Sequence, residues 1–135
     1  MAECVFCKIV AGDIPAHTVY QDDFTIAFMD LGQVNPGHVI VAVKPHRETI
    51  FDLEPDEAAL AFRTANRVAT ALRSELDPEG LTILQANRPA GFQTVPHFHM
   101  HVLPRHTNDG VTLTWPTKNP PAEELAELAG RIKVT

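Results

Sequence analysis

Residues 96–104 read Pro-His-Phe-His-Met-His-Val-Leu-Pro, so three histidines occupy alternate positions among bulky apolar residues. Side chains of a β-strand point alternately to its two faces, and the spacing therefore predicts a strand with three imidazoles on one face. Phe98, Met100 and Val102 would then point into the core. An imidazole with its ordinary pKa near 6.5 can serve at neutral pH as a base, a nucleophile or a metal ligand. Adjacent rings disfavour one another's charged form, so the pattern predicts a functional site with at least one neutral histidine.

The composition limits the classes of ligand. The chain has 135 residues, 44% of them hydrophobic, which is enough for one domain with a core. Its formal net charge of −6 leaves no basic surface for a nucleic-acid backbone, so we expect no nucleic-acid partner. A phosphorylated small molecule would need local donors instead, such as backbone N–H groups, amides, hydroxyls and imidazoles. No apolar run reaches the length of a membrane span, and we expect a cytoplasmic protein with no membrane partner.

The only two cysteines, Cys4 and Cys7, form a Cys-x-x-Cys pair. In a reducing compartment such a pair indicates a metal or redox site more readily than a structural disulfide. Zinc uses these pairs, but a tetrahedral site needs two further nitrogen or sulfur ligands. A redox role is less favoured, because no predicted strand leads into the motif as a thioredoxin-like unit requires.

Turn residues and apolar patterns divide the rest of the chain into strands and helices. We predict strands over residues 18–21, 24–29, 38–43 and 81–85, the first three forming an antiparallel meander. A long helix is predicted from residue 55 to about residue 76, and its apolar stripe consists of Ala58, Phe62, Ala65, Ala69, Leu72 and Leu76. A short amphipathic helix closes the chain, with a buried side made of Leu125, Leu128, Ala129 and Ile132.

Polar residues concentrate just before the histidine strand. Asn87, Gln93 and Thr94 offer amide and hydroxyl donors, and Gly91 permits the close approach of a ligand. Asn, Gly and Thr are also common turn residues, so an ordinary connection between two strands explains the same stretch. His38 begins the predicted third strand, and its ring can reach the three imidazoles if the two strands are neighbours.

The histidine strand resembles the signature of the histidine triad (HIT) proteins, in which three histidines alternate with apolar residues. The chain is similar to the Hint-type branch of that family at five further places in the same order: residues 4–9, 12–15, 27–30, 36–38 and 93–97. The resemblance covers about residues 4–105. It implies a single HIT domain over residues 1–135, in which residues 106–135 form a C-terminal arm and helix. Trp115 in this arm is suited to a partner surface, a ligand lid or packing against its own domain.

The resemblance implies an α+β, HIT-like fold with a five-stranded antiparallel sheet, one long helix and one or two short helices. It also implies a homodimer in which two sheets join into one. Members of the family act at a phosphorus atom next to a nucleoside, so the resemblance implies a nucleotide-binding hydrolase or transferase.

Site roles follow from the same resemblance. His99 would be the nucleophile that takes the nucleotidyl group, His101 would lie beside it on the phosphate, and His38 would orient and polarise the nucleophile through a hydrogen bond. The α-phosphate would be bound by Asn87, Gln93 and Thr94. The ribose hydroxyls would be bound by Asp30, and the base by Phe6, Ile9, Leu31 and Ile40.

A zinc site is implied by the family members that carry the cysteine pair. Its ligands here would be Cys4, Cys7, His46 and His97, which completes the half-site, with one structural zinc per chain and no metal required for the chemistry. Clustered carboxylates of the kind that hold Mg²⁺ are missing near the polar loop. One departure from the family pattern is Phe92, which separates Gly91 from Gln93 and makes the loop bulkier where the leaving group would lie.

The expected reaction is hydrolysis of a purine nucleoside phosphoramidate, with an AMP-like ligand and a nucleotidyl-histidine intermediate. Dinucleoside polyphosphate hydrolysis is the next alternative among catalytic roles. A non-catalytic protein that binds nucleotide without turnover is a second alternative. A third is a metal hydrolase or cupin-like protein in which His97, His99 and His101 share one metal, although it leaves the cysteine pair without a role.

Overall fold

A computed structural model describes residues 3–134, so the first two residues and the last residue of the predicted domain lie outside it. Its helices are α1 (Val5–Ala11), α2 (Pro55–Leu76) and α3 (Ala122–Ile132). Its strands are β1 (Thr18–Gln21), β2 (Thr25–Met29), β3 (Val39–Val43), β4 (Gly80–Gln85) and β5 (His99–Arg105). Short 3₁₀ turns cover Ile50–Asp52 and Pro89–Gly91. All strand pairs are antiparallel and the sheet order is β1-β2-β3-β5-β4. The predicted α+β class with a five-stranded antiparallel sheet is confirmed.

Alternation along the strands divides the sheet into two buried faces. On one face Val41, Met100 and Val102 pack against α2, together with Phe98 at the entrance to β5. On the other face Ile40 and its neighbours pack against α1. The three apolar residues of the histidine stretch therefore lie in the core as predicted, and the imidazoles share the opposite face with α1.

The long helix has the predicted bounds but a different buried stripe. The residues of α2 that face the sheet are Ala61, Thr64, Ala65, Val68 and Leu72. Phe62, which was expected in the stripe, is 57% exposed, and Leu76 is exposed as well. The buried positions recur at steps of three and four from Ala61 to Leu72, so the stripe is shifted by about one residue toward the start of the helix and Phe62 lies beside it.

The C-terminal helix contradicts the predicted burial. α3 contains no buried residue, and Leu125, Leu128 and Ile132 are all exposed. An amphipathic pattern shows that a helix has an apolar side but not that the domain offers a surface to cover it. Within residues 3–134 no helix is long and apolar enough to cross a membrane.

The turn before β3 brings the start of this strand close to the end of β5. Asn35 donates from Nδ2 to the carbonyl of Pro104 at 2.8 Å. Gly37 has a φ of +101°, and a Cβ at this position would lie 2.6 Å from Leu76 Cδ1 and 3.0 Å from Pro104 Cγ. The turn thus requires glycine both for its backbone angle and for its packing.

We expect Gly37→Ala to lower the free energy of unfolding by about 2–5 kcal/mol, because left-handed strain and overpacking add. The matched control is Gly12→Ala, since Gly12 also has a positive φ, +84°, but no atom lies within 4 Å of its added Cβ. This control should lose only the backbone contribution of about 1–2 kcal/mol. Urea unfolding of both variants measures the difference, and equal losses would show that packing at Gly37 contributes nothing.

The turn between β1 and β2 is held by the carboxylate of Asp22. It accepts hydrogen bonds from the backbone N–H groups of Phe24 at 2.9 Å and Thr25 at 2.8 Å, and from the hydroxyls of Tyr20 and Thr25. Burial alone would raise its pKa, but these hydrogen bonds stabilise the charged form and lower the pKa of Asp22 to about 2.

A depressed pKa makes this contribution to stability depend on pH. It is fully present above the ordinary aspartate pKa near 4 and is lost as the pH falls from about 4 to about 2. We expect Asp22→Asn to lose about 1–2 kcal/mol at pH 7, allowing for solvent screening, and to match wild type near pH 2. Chemical unfolding at both pH values measures this, with the exposed neighbour variant Asp23→Asn as control. A loss that is the same at both pH values would contradict the assignment.

Candidate active site and metal site

The central histidine of the triad is held in one tautomer. Nδ1 of His99 lies 2.7 Å from the carbonyl oxygen of His97, and a carbonyl can only accept, so Nδ1 carries the proton. Nε2 is then left with its lone pair. His99 is 5% exposed, and its ring meets the ring of Phe6 edge-on at 4.9 Å. Burial, reinforced by the nearby His101, lowers the pKa of His99 below its ordinary value. A neutral imidazole with a free Nε2 is the state required of a nucleophile.

A second pair of histidines forms a directed hydrogen-bond chain. The backbone N–H of Val34 donates to Nδ1 of His38 at 3.2 Å, so the proton of neutral His38 is on Nε2. That Nε2 lies 2.8 Å from Nδ1 of His101, which must therefore accept. The proton of His101 is then on Nε2. Burial lowers the pKa of both histidines, and Asp30 Oδ2 opposes this effect from 3.3 Å away from His38 Nε2.

The position of His38 corrects one expectation. The resemblance implied that His38 bonds to the nucleophile His99, whereas the structure pairs it with His101. The strand register gives the reason, because His101 lies opposite Ile40 while His99 lies opposite Ala42, two residues further from His38 along β3. The rings of His99 and His101 are nevertheless neighbours, with centroids 5.0 Å apart.

Asp30, His38 and His101 have ligand atoms close enough together to surround a metal ion. Binding there would require the lone pair of His38 Nε2. Because Nδ1 of the same ring already accepts from Val34, a metal on Nε2 would demand either an imidazolate or loss of that bond. The hydrogen-bond pattern therefore favours a proton chain over a metal site.

A separate cluster is suited to a metal ion. Sγ of Cys4 lies 3.2 Å from Nδ1 of His97, and Sγ of Cys7 lies 3.3 Å from Nδ1 of His46. All four ligand atoms lie within 4.8 Å of one another, and both cysteines are free thiols. His97 is fully buried, and its Nε2 lies 2.6 Å from the carbonyl of Val43, so the proton is on Nε2 and Nδ1 turns its lone pair toward the sulfurs. Two cysteine sulfurs and two imidazole nitrogens are the ligand set of a tetrahedral structural metal site, and these four atoms are close enough together to hold one ion.

The predicted nucleoside residues meet in one cavity of about 220 Å³ beside α1. Its lining includes every residue expected to contact the base or ribose, namely Phe6, Ile9, Asp30, Leu31 and Ile40. Sequence reasoning missed His17, which lines the same cavity. The sequence did contain an indication of this residue, because His17 follows two residues after the Gly-Asp-Ile-Pro stretch that matches the family. The cavity is apolar apart from His17 and Asp30, which suits a flat ring with a polar sugar at its edge.

The predicted phosphate ligands are not gathered at the histidines. The amide of Gln93 accepts from the backbone N–H of Arg88 at 2.7 Å and donates to the carbonyl of Glu48 at 2.6 Å. Asn87 accepts from the backbone N–H of Ile50 at 2.7 Å. Between residues 3 and 134, no hydrogen bond joins these amides to the triad. These hydrogen bonds to the backbone agree with the alternative interpretation, in which the stretch is an ordinary connection between two strands. A phosphate-binding role for these residues stays a prediction.

Two further residues of this loop face away from the core. Thr94 is exposed and lines a shallow cavity with Cys4 and His46, on the metal side of the site. Phe92 is 88% exposed with a φ of +70°, and Arg88 also has a positive φ, of +65°. Two non-glycine residues with positive φ within five residues indicate a strained loop.

Comparisons with known proteins agree with this fold and site. The family model described as the HIT domain matches residues 11–108. A crystal structure of a HIT family member from Bacillus subtilis superimposes with a TM-score of 0.91 at 38% identity, covering 96% of this chain and 94% of that one. A Zn-bound histidine triad family protein from Mycobacterium smegmatis superimposes with a TM-score of 0.78 at 33% identity, covering 96% and 98%.

Among curated relatives, the adenosine 5'-monophosphoramidase of Schizosaccharomyces pombe is 31% identical over 130 residues, which cover 96% of this chain and 95% of that protein. The fold and the alternating histidines define a histidine triad domain. The chain belongs to the HIT family. This family includes nucleotide hydrolases, and a nucleotide is the class of ligand that membership supports.

Proposed function

We propose that this protein is a nucleotide-binding hydrolase or transferase that acts at the α-phosphorus through a nucleotidyl-histidine on His99. The observation that supports it most is the bond from His99 Nδ1–H to the His97 carbonyl, which leaves Nε2 free to attack. Phe6 both contacts the His99 ring and lines the nucleoside cavity. A nucleoside bound there would therefore place its 5'-phosphate beside the nucleophile.

In the first step His99 Nε2 forms a bond to phosphorus and the bond to the leaving group breaks. The leaving amine takes a proton from Nε2 of the imidazolium form of His101, which the negative charges of Asp30 and of the bound phosphate favour, and His101 is neutral once that proton has left. In the second step water attacks phosphorus, its proton returns to His101, and the bond to His99 breaks to release a nucleoside monophosphate. Burial favours the neutral form of His99 that attacks phosphorus, whereas His101 starts as an imidazolium and returns to that form when it takes the proton of the water.

The favoured substrate is a purine nucleoside phosphoramidate. The monophosphoramidase relative and the apolar cavity support this choice, with Asp30 as the ribose ligand and Asn87, Gln93 and Thr94 as phosphate ligands after a rearrangement of their loop. Dinucleoside polyphosphate hydrolysis is the alternative, and the bulk of exposed Phe92 is the feature that bears on the choice between the two leaving groups.

The test is to incubate the purified protein with an adenosine phosphoramidate and with diadenosine polyphosphates, and to quench early for intact mass. Cleavage of the phosphoramidate together with an adenylate adduct on the protein would support the proposal. Nucleotide binding with no turnover of either substrate would identify a non-catalytic member and overturn it.

The ion of the cysteine and histidine cluster is proposed to be zinc, one per chain. Four protein ligands leave no open position, so this metal is structural and supplies no chemistry to the reaction. The Zn-bound relative supports the choice of ion. Two free thiols also agree with a cytoplasmic protein, because thiols stay reduced there.

A homodimer is proposed through the free edge of β4. This strand is the last in the sheet, and it exposes Leu81 and Leu84. Edge strands with apolar neighbours are surfaces that proteins normally cover. Light scattering of the purified protein measures its mass, and a monomer at micromolar concentration would contradict the proposal.

A further inference from the structure

The loop over residues 30–38 joins β2 to β3 and carries a residue of the proposed site at each end. The two ends of the loop are joined by a hydrogen bond from the backbone N–H of Asp30 to the carbonyl of His38 at 3.1 Å. The side chain of Gln33 lies between these two ends. Gln33 is exposed and belongs neither to the cavity lining nor to the histidine triad.

The amide of Gln33 uses its full hydrogen-bonding capacity within this loop. Oε1 accepts from the backbone N–H groups of Gly37 at 2.8 Å and His38 at 3.0 Å. Nε2 donates to the carbonyl of His38 at 2.8 Å and to the carbonyl of Asp30. Two lone pairs and two hydrogens are all paired, which is the maximum that a carboxamide can make.

These bonds fix the two ends of the loop relative to each other. They hold the main chain of Asp30 and His38 together, and the two side chains meet with Oδ2 and Nε2 at 3.3 Å. The same loop places the Val34 N–H at 3.2 Å from His38 Nδ1, which is the bond that selects the tautomer of His38. A loop without Gln33 would keep the bonds that Gly32, Asn35 and the backbone of Asp30 make, but it would lose the four bonds that fix its two ends on either side of Val34. We expect the Val34 N–H then to lose its fixed direction toward His38 Nδ1.

We propose that Gln33 is a positioning residue. It holds the loop so that His38 Nε2–H points at His101 and the proton of His101 stays on Nε2. The expected effect on the reaction rate rests on the proposed function, whereas the expected effect on which nitrogens of His38 and His101 carry protons does not. Gln33 touches neither the cavity nor the reacting atoms, so it acts through Asp30 and His38.

The experiment compares Gln33→Leu and Gln33→Glu with the matched control Gln21→Leu, since Gln21 is also exposed and ends β1. Gln33→Leu removes all four bonds at similar size. Gln33→Glu keeps an acceptor for the two N–H groups but turns a carboxylate oxygen toward two carbonyls. Long-range ¹⁵N–¹H correlation of the imidazoles reports which nitrogens of His38 and His101 carry protons, and turnover of an adenosine phosphoramidate reports kcat and KM.

In wild type and Gln21→Leu we expect His38 and His101 protonated on Nε2 alone. In both Gln33 variants we expect mixed tautomers and a kcat/KM lower by about tenfold to a hundredfold, the scale of a misplacement near 1 Å. Unchanged tautomers in a folded Gln33 variant would overturn the proposal, as would the same change in Gln21→Leu. Altered tautomers in a protein whose wild type turns over no nucleotide would support the positioning role and reject only the hydrolase function. Should Gln33→Leu fail to fold, Gln33→Glu provides the same comparison.

Discussion

Replacing His99 by alanine is expected to lower kcat by about 10⁴-fold or more, the loss typical of removing a covalent nucleophile. The substitution removes the Nε2 lone pair and with it the adduct. The nucleoside cavity keeps its lining, because His99 does not belong to it. We therefore expect the Kd for adenosine monophosphate to change by less than about threefold. Turnover of an adenosine phosphoramidate, intact mass and calorimetric titration measure the three quantities.

The control for this variant is His106→Ala, which removes an exposed histidine at the end of β5 without touching the triad. It should behave as wild type in all three measurements. Residual activity of His99→Ala within tenfold of wild type would reject the nucleotidyl-histidine mechanism. Loss of nucleotide binding together with turnover would show instead that His99 is needed to form the cavity.

Removal of the metal is expected to have the second largest effect. The cluster joins the first turn of α1 to the start of β5, two segments more than 90 positions apart, through Cys4, Cys7 and His97. We expect Cys7→Ser to lose the bound ion and at least about 3 kcal/mol of stability, or about 10 °C in Tm for a chain of this length. Metal content by elemental analysis and calorimetric unfolding measure both changes.

Activity should fall in the same variant, because the main chain of His97 supplies the acceptor for His99 Nδ1–H. If the main chain of His97 became disordered, Nδ1 of His99 would lose its acceptor and the ring proton would be free to move to Nε2. Nε2 would then no longer offer a lone pair to phosphorus. The control is a chelator, which should lower the Tm of wild type to that of Cys7→Ser and leave the variant unchanged. A wild-type protein that contains no metal, or that keeps its Tm after chelation, would contradict a structural metal.

Local patterns were enough for much of the fold. The first turn and the last residue of α2 were predicted correctly, because Pro55 suits the start of a helix and a turn sequence follows Leu76. Four strands were predicted within one residue at each end, since alternation and turn residues are both local signals, whereas β5 begins three residues later than the predicted histidine strand. The residues expected to contact the base and ribose do line one cavity, although they were chosen from the family resemblance and their role in binding stays a prediction.

Contacts that depend on neighbouring elements were the ones that sequence could not supply. Phe62 and Leu125 lie on apolar stripes, yet both are exposed, because a stripe does not show how far a helix is rotated or whether a surface covers it. Asn87 and Gln93 were read as phosphate ligands, but their amides hold backbone groups from residues 48–50, which no spacing in the sequence connects to them.

The sequence by itself determined that His99 and His101 share one face of a strand, that the apolar residues of the histidine stretch enter the core, and that the chain carries the motifs of its family. The tertiary structure alone decided which nitrogen of each histidine carries the proton. The carbonyl of Val43 sets the free nitrogen of His97, the carbonyl of His97 sets that of His99, and the N–H of Val34 directs the proton of His38 to His101. Imidazoles of the same chemistry are protonated on different nitrogens because each ring is hydrogen-bonded to a different backbone group. A sequence does not show which backbone groups will be neighbours of a side chain in the fold.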